Sequence, residues 1–162
     1  MNNALTYQVE DYLQALPEMQ RLYQAHYEEV GVLHDKFTLD PDYGRYQQIH
    51  AANGFHLVTV RAQGELAGYH LSFIMMHLHY RNEKIAVDDL FFLSKEHRSG
   101  FTGVRLFKEA ERTLKARGVQ AFINKAKRHV KSGDEEEYGV GKLLEALGFQ
   151  EFERSYIKWI GD

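Results

Sequence analysis

The chain is 162 residues long, 44% hydrophobic and 27% charged, and its 20 basic and 23 acidic side chains give a formal charge of -3. That is the profile of one ordinary globular domain spanning residues 1–162, and the weak net charge argues against a general electrostatic grip on nucleic acid or anionic lipid. With no cysteine, disulfide frameworks, thiolate zinc sites, iron-sulfur clusters and cysteine-linked intermediates are excluded.

Met1-Asn2-Asn3-Ala4 has no basic region leading into an apolar stretch, and the most apolar run, Leu71 to Leu78, is broken by Ser72 and His77. The expectation is a cytoplasmic protein without a membrane span. Leu5 to Val9 reads as a short strand. Leu16, Met19, Tyr23, Tyr27 and Val30 recur at steps of three and four, which predicts a helix with Pro17 near its start. Asp40-Pro41-Asp42 offers a cap and a first-turn proline, and Asn53-Gly54 a stop, so residues 41–52 read as a second helix whose Tyr43 and Tyr46 share a face.

Three strands follow. Phe55 to Ala62 alternates, Gln63-Gly64-Glu65 makes a short turn, Leu66 to Leu78 returns as in an antiparallel hairpin, and Ile85 to Leu93 is the third. Leu106, Phe107, Ala110 and Leu114 then mark one helical face, which Gly118 closes. Val119 to Lys125 reads as a strand, a charged loop runs through Glu137, a helix covers about Val140 to Leu147, and Phe149 to Ile160 is the last strand. The order β-α-α-β-β-β-α-β-α-β implies an α/β (α+β) fold: a mixed, mostly antiparallel central sheet of about six strands flanked by about four helices.

The chemistry is concentrated between Val87 and Leu106. A buried strand passes through Arg98-Ser99-Gly100-Phe101-Thr102-Gly103 into a helix N-terminus, where backbone N–H groups without partners and the positive end of the helix dipole favour a phosphate. A tight turn needing positive φ is the alternative reading of the same glycines.

The element order, the strand end Asp88-Asp89-Leu90-Phe91-Phe92, this turn and the later Leu143-Leu144-Glu145-Ala146-Leu147-Gly148-Phe149 resemble the GCN5-related N-acetyltransferase (GNAT) superfamily over nearly the whole chain. The family's turn is Arg/Gln-x-x-Gly-x-Gly/Ala. With Arg98 first, Gly103 matches the last small residue and Phe101 replaces the middle glycine; with His97 first, Gly100 matches and Thr102 replaces the last. The Arg98 register keeps the helix face intact and is preferred.

The resemblance implies an acyltransferase that moves an acetyl group from acetyl-CoA to a primary amine of a small molecule or peptide by direct attack in a ternary complex. Phe92 and Leu93 would pair with the pantetheine arm as an added strand. Arg98, Ser99, Gly100, Phe101, Thr102, Gly103 and Val104 would hold the pyrophosphate, with Asn124 facing the coenzyme from the other side. The Lys125, Lys127, Arg128, His129 and Lys131 cluster is either a contact for the 3'-phosphate or a solvated loop.

Transfer needs a base, and Asp88 and Asp89 lie on the strand that would line the site, on opposite faces. Asp88 stands where many relatives carry a glutamate and is favoured; a salt-bridge or capping role for both stays open. Relatives often carry a tyrosine five residues before the phenylalanine of the Gly-Phe pair, and here that place is Leu144. Tyr138 and Tyr156 are then the candidates for protonating the thiolate, with packing as the alternative for each.

The acceptor wall would include His34, Asp35, Tyr43, Tyr46 and His50. The run Asp134-Glu135-Glu136-Glu137 either steers a basic acceptor or is a solvated loop at a helix start. His77 and His79 share a strand face, but without a third ligand at motif spacing no metal is expected. A homodimer through a sheet edge is compatible with this reading, and neither nucleic acid nor membrane is expected as a partner. The alternative function is a non-catalytic acyl-CoA-binding or partner-binding module on the same fold.

Overall fold

The computed structural model describes residues 4–30, 33, 35–126 and 139–161. The elements are β1 (Leu5–Glu10), α1 (Tyr12–Val30), α2 (Tyr43–Ala51), β2 (Phe55–Ala62), β3 (Glu65–Met76), β4 (Lys84–Leu93), a short 3-10 turn (Lys95–His97), α3 (Thr102–Ala116), β5 (Ala121–Ile123) and α4 (Gly139–Ala146). Among the described residues the strands form one sheet in the order β1-β2-β3-β4-β5, antiparallel throughout except for the parallel pair β4 and β5. No helix among the described residues is long and apolar enough to cross a membrane.

The expected mixed architecture is present, with local corrections. The first helix begins at Tyr12, so Pro17 lies inside it rather than near its start. Asp11 sets that beginning: its side chain accepts from the Gln14 amide at 3.0 Å and its carbonyl from the Ala15 amide at 3.0 Å. Likewise α2 starts at Tyr43, capped by Asp42 through the Arg45 amide at 2.9 Å, not by Asp40. Residues 77–80 leave the strand and form the turn between β3 and β4, so His77 and His79 do not share a strand face.

The expected last strand, Phe149 to Ile160, is not a strand in this structure. Phe149 is anchored by ring contacts with Phe122 and Phe107, and Trp159 by one with Phe37. Between them the alternating apolar side chains of Phe152 and Tyr156 meet no opposing surface among the described residues and are 68% and 92% exposed. Alternation marks a strand only where one face is buried, and here neither is.

Two apolar layers cover the sheet. On one side α1 presses Tyr12, Ala15, Met19 and Tyr23 onto Phe55, Leu57, Tyr69, Leu71 and Phe92, and Tyr43, Tyr46 and Ile49 of α2 pack against this layer. The α1 positions recur at three and four residues and make a single stripe. On the other side Leu106 and Ala110 of α3 pack on Val58, Val60, Ala67 and Leu93. The four apolar positions predicted for this helix, Leu106, Phe107, Ala110 and Leu114, are all buried. At the edge, Arg61 bonds Glu10 and Glu18 at 2.7 to 2.9 Å and ties β1 and β2 to α1.

Candidate functional site

The site grows from the place where the sheet comes apart. β5 pairs with β4 only at Ile85↔Ala121, Ala86↔Phe122 and Val87↔Ile123. Past Val87 no described strand joins β4 on that side, and a notch opens with its closed end at Asp88 and Asn124. Lys125 reaches across the closed end, its Nζ donating to the Asp88 carbonyl at 3.1 Å. At the open end the Ser94 amide bonds the Ala67 carbonyl of β3. The Leu93 carbonyl belongs to the same peptide group and therefore points the opposite way, into the notch.

The two aspartates face opposite sides of the sheet, as neighbours on a strand do, and a bulge then breaks the alternation after Asp89. The pairing of β3 with β4 shifts between Leu71↔Leu90 and Ser72↔Asp88, so Asp89 is the extra residue of a β-bulge. The bulge interrupts alternation, and Asp89 and Leu90 both lie on the α1/α2 side, Leu90 packed against that core layer. Asp88 joins Ser72 on the α3 side and is 4% exposed. Asp89 instead accepts from the Tyr46 hydroxyl of α2 at 2.7 Å. Tyr46 stacks on Tyr12 with centroids 5.6 Å apart. Burial, then the charge of Asp89, pushes its phenol well above the ordinary range, so it stays a donor.

The turn after β4 delivers the helix end that the sequence predicts. Gly100 takes φ +69 and Phe101 is the N-cap, without a side-chain hydrogen bond. The first helical bond runs from the Arg105 amide to the Phe101 carbonyl at 2.9 Å, so the amides of Thr102, Gly103 and Val104 have no helical acceptor. Such an end is suited to an anion. Gly103 is the point of close packing: a Cβ there would lie 3.3 Å from Leu143 Cδ2 and 3.7 Å from Leu93 Cδ1. Phe101 is 71% exposed, and the Thr102 hydroxyl turns back to the Ser99 carbonyl at 3.4 Å.

Arg98 is directed differently from the turn amides. Its Nε donates to the Leu93 carbonyl at 2.8 Å, its Nη2 meets Glu29 of α1 at 2.7 Å, and its guanidinium lies over the Phe92 ring at 5.5 Å. The Leu93 carbonyl that would pair with a pantetheine arm is thus held by Arg98. Nothing in the sequence singles out Glu29 as the residue that orients it.

The structure brings together Asp88, Asp89, Tyr46, Phe92, Leu93, Asn124 and the turn from Arg98 to Val104 around β4. Tyr43 is part-buried against the α1/α2 layer, and His50 pairs with Asp11 at 3.2 Å. Tyr156 is solvent-facing in the C-terminal segment. His34, Tyr138, the acidic run 134–137 and most of the basic cluster (127, 128, 129 and 131) lie outside the described residues. Leu144, at the place of the relatives' tyrosine, is buried. Sequence reasoning also misses His70. A histidine within the apolar run of β3 is the available signal, and its Nε2 lies 2.9 Å from Asn124 Oδ1.

No family model and no curated protein matches the sequence. Solved structures do match along the full length. An aminoglycoside acetyltransferase, meta-AAC0020, from an uncultured soil metagenomic sample in complex with trehalose superposes with a TM-score of 0.73 at 15% identity, covering 99% of each chain. A ribosomal-protein-alanine N-acetyltransferase from Brucella melitensis biovar Abortus 2308 gives 0.70 at 15% identity, over 98% of this chain and 100% of that one. A predicted acetyltransferase with acetyl-CoA from Clostridium acetobutylicum gives 0.64 at 12% identity, covering 97% of each. The chain has the fold of the GCN5-related N-acetyltransferase superfamily.

Proposed function

We propose that the protein is an N-acetyltransferase that uses acetyl-CoA and acetylates a primary amine of a small molecule or peptide. The observation that carries this reading is the notch between β4 and β5, which runs from the closed end at Asn124 to the uncapped amides of Thr102, Gly103 and Val104. An extended arm with amide groups fits along the free edge of Phe92 and Leu93, as an added strand would. A pyrophosphate fits the helix end, where both the free N–H groups and the dipole favour it. The likeness to an acetyltransferase with acetyl-CoA supports the same ligand.

Asp89 serves as the base. Sequence reasoning favours Asp88, but Asp88 is turned to the α3 side and buried, whereas Asp89 opens toward α2, the side of the expected acceptor wall. Asp89 takes the proton that the amine loses as its nitrogen bonds the acyl carbon and the carbon–sulfur bond breaks. Tyr46 holds the carboxylate in place. The departing thiolate takes a proton from solvent, since a thiol with a pKa near about 8.5 is a fair leaving group. Where the family resemblance implies a tyrosine as the acid, this chain has the buried Leu144, which cannot donate a proton.

That absence favours one second reading, a module that binds acyl-CoA without turning it over. Titration calorimetry with acetyl-CoA, followed by a thiol-release assay against aminoglycosides, polyamines, amino acids and peptide N-termini, tests both. Binding with release supports the transferase, binding without release supports the module, and no binding overturns the two together.

A further inference from the structure

His70 is the one imidazole set entirely inside the sheet's α3 face among the described residues that line the notch, and none of its surface is exposed. Phe107 and Phe122 stand edge-on to it at 5.3 Å, and Phe91 lies 6.2 Å away. An aromatic box of this kind offers its two ring nitrogens no water, so each needs a protein partner. Nε2 finds Asn124 Oδ1 at 2.9 Å and Nδ1 finds the Ser72 hydroxyl at 3.4 Å. An amide oxygen only accepts, which places the proton on Nε2 and leaves Nδ1 to accept from Ser72. Burial holds the imidazole's pKa down at about 4, so it is neutral near pH 7.

The consequence falls on Asn124. With Oδ1 turned to His70, its amide Nδ2 points away from the box, and that buried nitrogen has no acceptor among the described residues. A buried donor without an acceptor is destabilising, and a ligand's acceptor would relieve it. Asn124 is the first residue beyond the last β4–β5 pair, Val87↔Ile123. It therefore stands at the closed end of the notch, five residues of β4 from Leu93, roughly 16 Å at strand rise. An arm that starts from the α3 N-terminus and follows this edge brings its acyl end there.

We propose that His70 is a positioning residue that aims the Asn124 amide at the acyl carbonyl oxygen of the bound thioester. The proposal rests on the acetyl-CoA reading above. Asn124 then supplies a side-chain donor where charge develops during transfer. His70 touches no ligand and acts through Asn124 alone.

The test is independent of the acceptor amine. Affinities for acetyl-CoA and for CoA are measured on the full chain by titration calorimetry, and their ratio reports the acyl contact. Asn124→Ala should lower the acetyl-CoA preference about fivefold, the equivalent of one net hydrogen bond, with CoA affinity unchanged. His70→Phe, which suits the aromatic box but has no donor, should do the same, and His70→Gln, which keeps one, should restore the preference. An unchanged ratio in Asn124→Ala or in His70→Phe overturns the proposal, as does an equal loss for both ligands, which would put Asn124 on the arm instead. If His70→Phe does not fold, Asn124→Ala, beyond the end of the strand, and His70→Gln carry the decision. Wild-type protein that binds neither ligand overturns the functional reading and this inference together, whereas wild-type binding with an unaltered Asn124→Ala ratio overturns the inference alone.

Discussion

The Tyr46 hydroxyl donates to the Asp89 carboxylate across 2.7 Å, joining α2 to the bulge of β4. A hydrogen bond to a charged group contributes about 1.5–3 kcal/mol, and here it also fixes which way the carboxylate faces. If Asp89 is the base, Asp89→Asn should lower kcat by about 10²–10⁴ while the Kd for acetyl-CoA stays near the wild-type value. Tyr46→Phe removes only the orienting donor and should lower kcat by roughly tenfold. Asp88→Asn provides the comparison, read in the same steady-state assay. A larger kcat loss from Asp88→Asn than from Asp89→Asn would return the role to Asp88.

Phe101→Asp separates stability from binding at the α3 N-terminus. Phe101 is the N-cap, largely exposed, and offers no oxygen to the free amides of Thr102, Gly103 and Val104. An aspartate there accepts from the Gly103 or Val104 amide and meets the positive end of the dipole, for a gain of about 1 kcal/mol. The same carboxylate then stands where a pyrophosphate would bind. The melting temperature should rise or hold while acetyl-CoA affinity falls at least about tenfold, a loss of about 1.4 kcal/mol. Unchanged affinity by calorimetry would remove the helix end from the coenzyme site. Gly103→Glu is the less specific probe, because a Cβ there would sit 3.3 Å from Leu143 Cδ2 and so would disturb packing as well as charge.

How far the sequence carries the fold depends on whether a pattern has a single physical cause. The α3 positions Leu106, Phe107, Ala110 and Leu114 recur at helical spacing, and every one is buried. Phe55 to Ala62 alternates and is β2 as predicted. The start of α1 differs from its expected place because proline is favoured at the start of a helix, whereas the Asp11 cap lies six residues before Pro17. The expected last strand is missing because alternation records apolar spacing, not the presence of a neighbouring strand. In the site, Asp88 and Asp89 are legible as a pair with opposite faces. Which one faces α2 depends on a bulge set by the register of β3, and the contacts Tyr46–Asp89, His70–Asn124 and Glu29–Arg98 each join residues more than forty positions apart.

Stability should fall in two stages on acidification. His56 and His70 are buried, and desolvation holds both near a pKa of about 4 in the folded chain, against an ordinary value of 6.5. Burial does most of this for His56 and the Arg117 guanidinium at 3.4 Å adds to it, while its Nε2 lies 2.7 Å from the Thr113 hydroxyl. Between pH 6.5 and 4 the unfolded chain binds protons that the folded chain refuses, so stability is lost as pH drops through that window. Glu10 follows: its hydrogen bond to the Arg61 guanidinium lowers its pKa from 4.5 to about 2. Its contribution is present above 4.5 and is lost as pH falls toward 2. Melting temperatures from pH 7.5 to 3 should decline in both ranges, with His56→Gln flattening the first and Glu10→Gln the second. A wild-type melting temperature constant from pH 6.5 to 4.5 would contradict the histidine assignment.

Gly68 and Gly64 should respond to alanine in different ways, because one is confined by contacts and the other by backbone conformation alone. Gly68 sits on β3 beside the register shift with β2, where it pairs with Leu93. A Cβ on Gly68 would lie 2.5 Å from the Phe92 carbonyl oxygen and 3.1 Å from Leu93 Cα, backbone atoms that cannot rotate aside. The only relief is for β3 and β4 to part at the two residues whose free edge faces the notch. Gly68→Ala should therefore cost about 1–3 kcal/mol of stability and also weaken acetyl-CoA binding. Gly64, in the β2–β3 turn, has φ +87, and a Cβ there would meet nothing within 4 Å, so Gly64→Ala incurs only the conformational penalty, about 1 kcal/mol. It lies away from the notch and should leave binding unchanged. Urea denaturation and calorimetry on the two variants check the contrast. Equal binding in both would mean that the spacing of β3 and β4 does not set the shape of the Phe92–Leu93 edge.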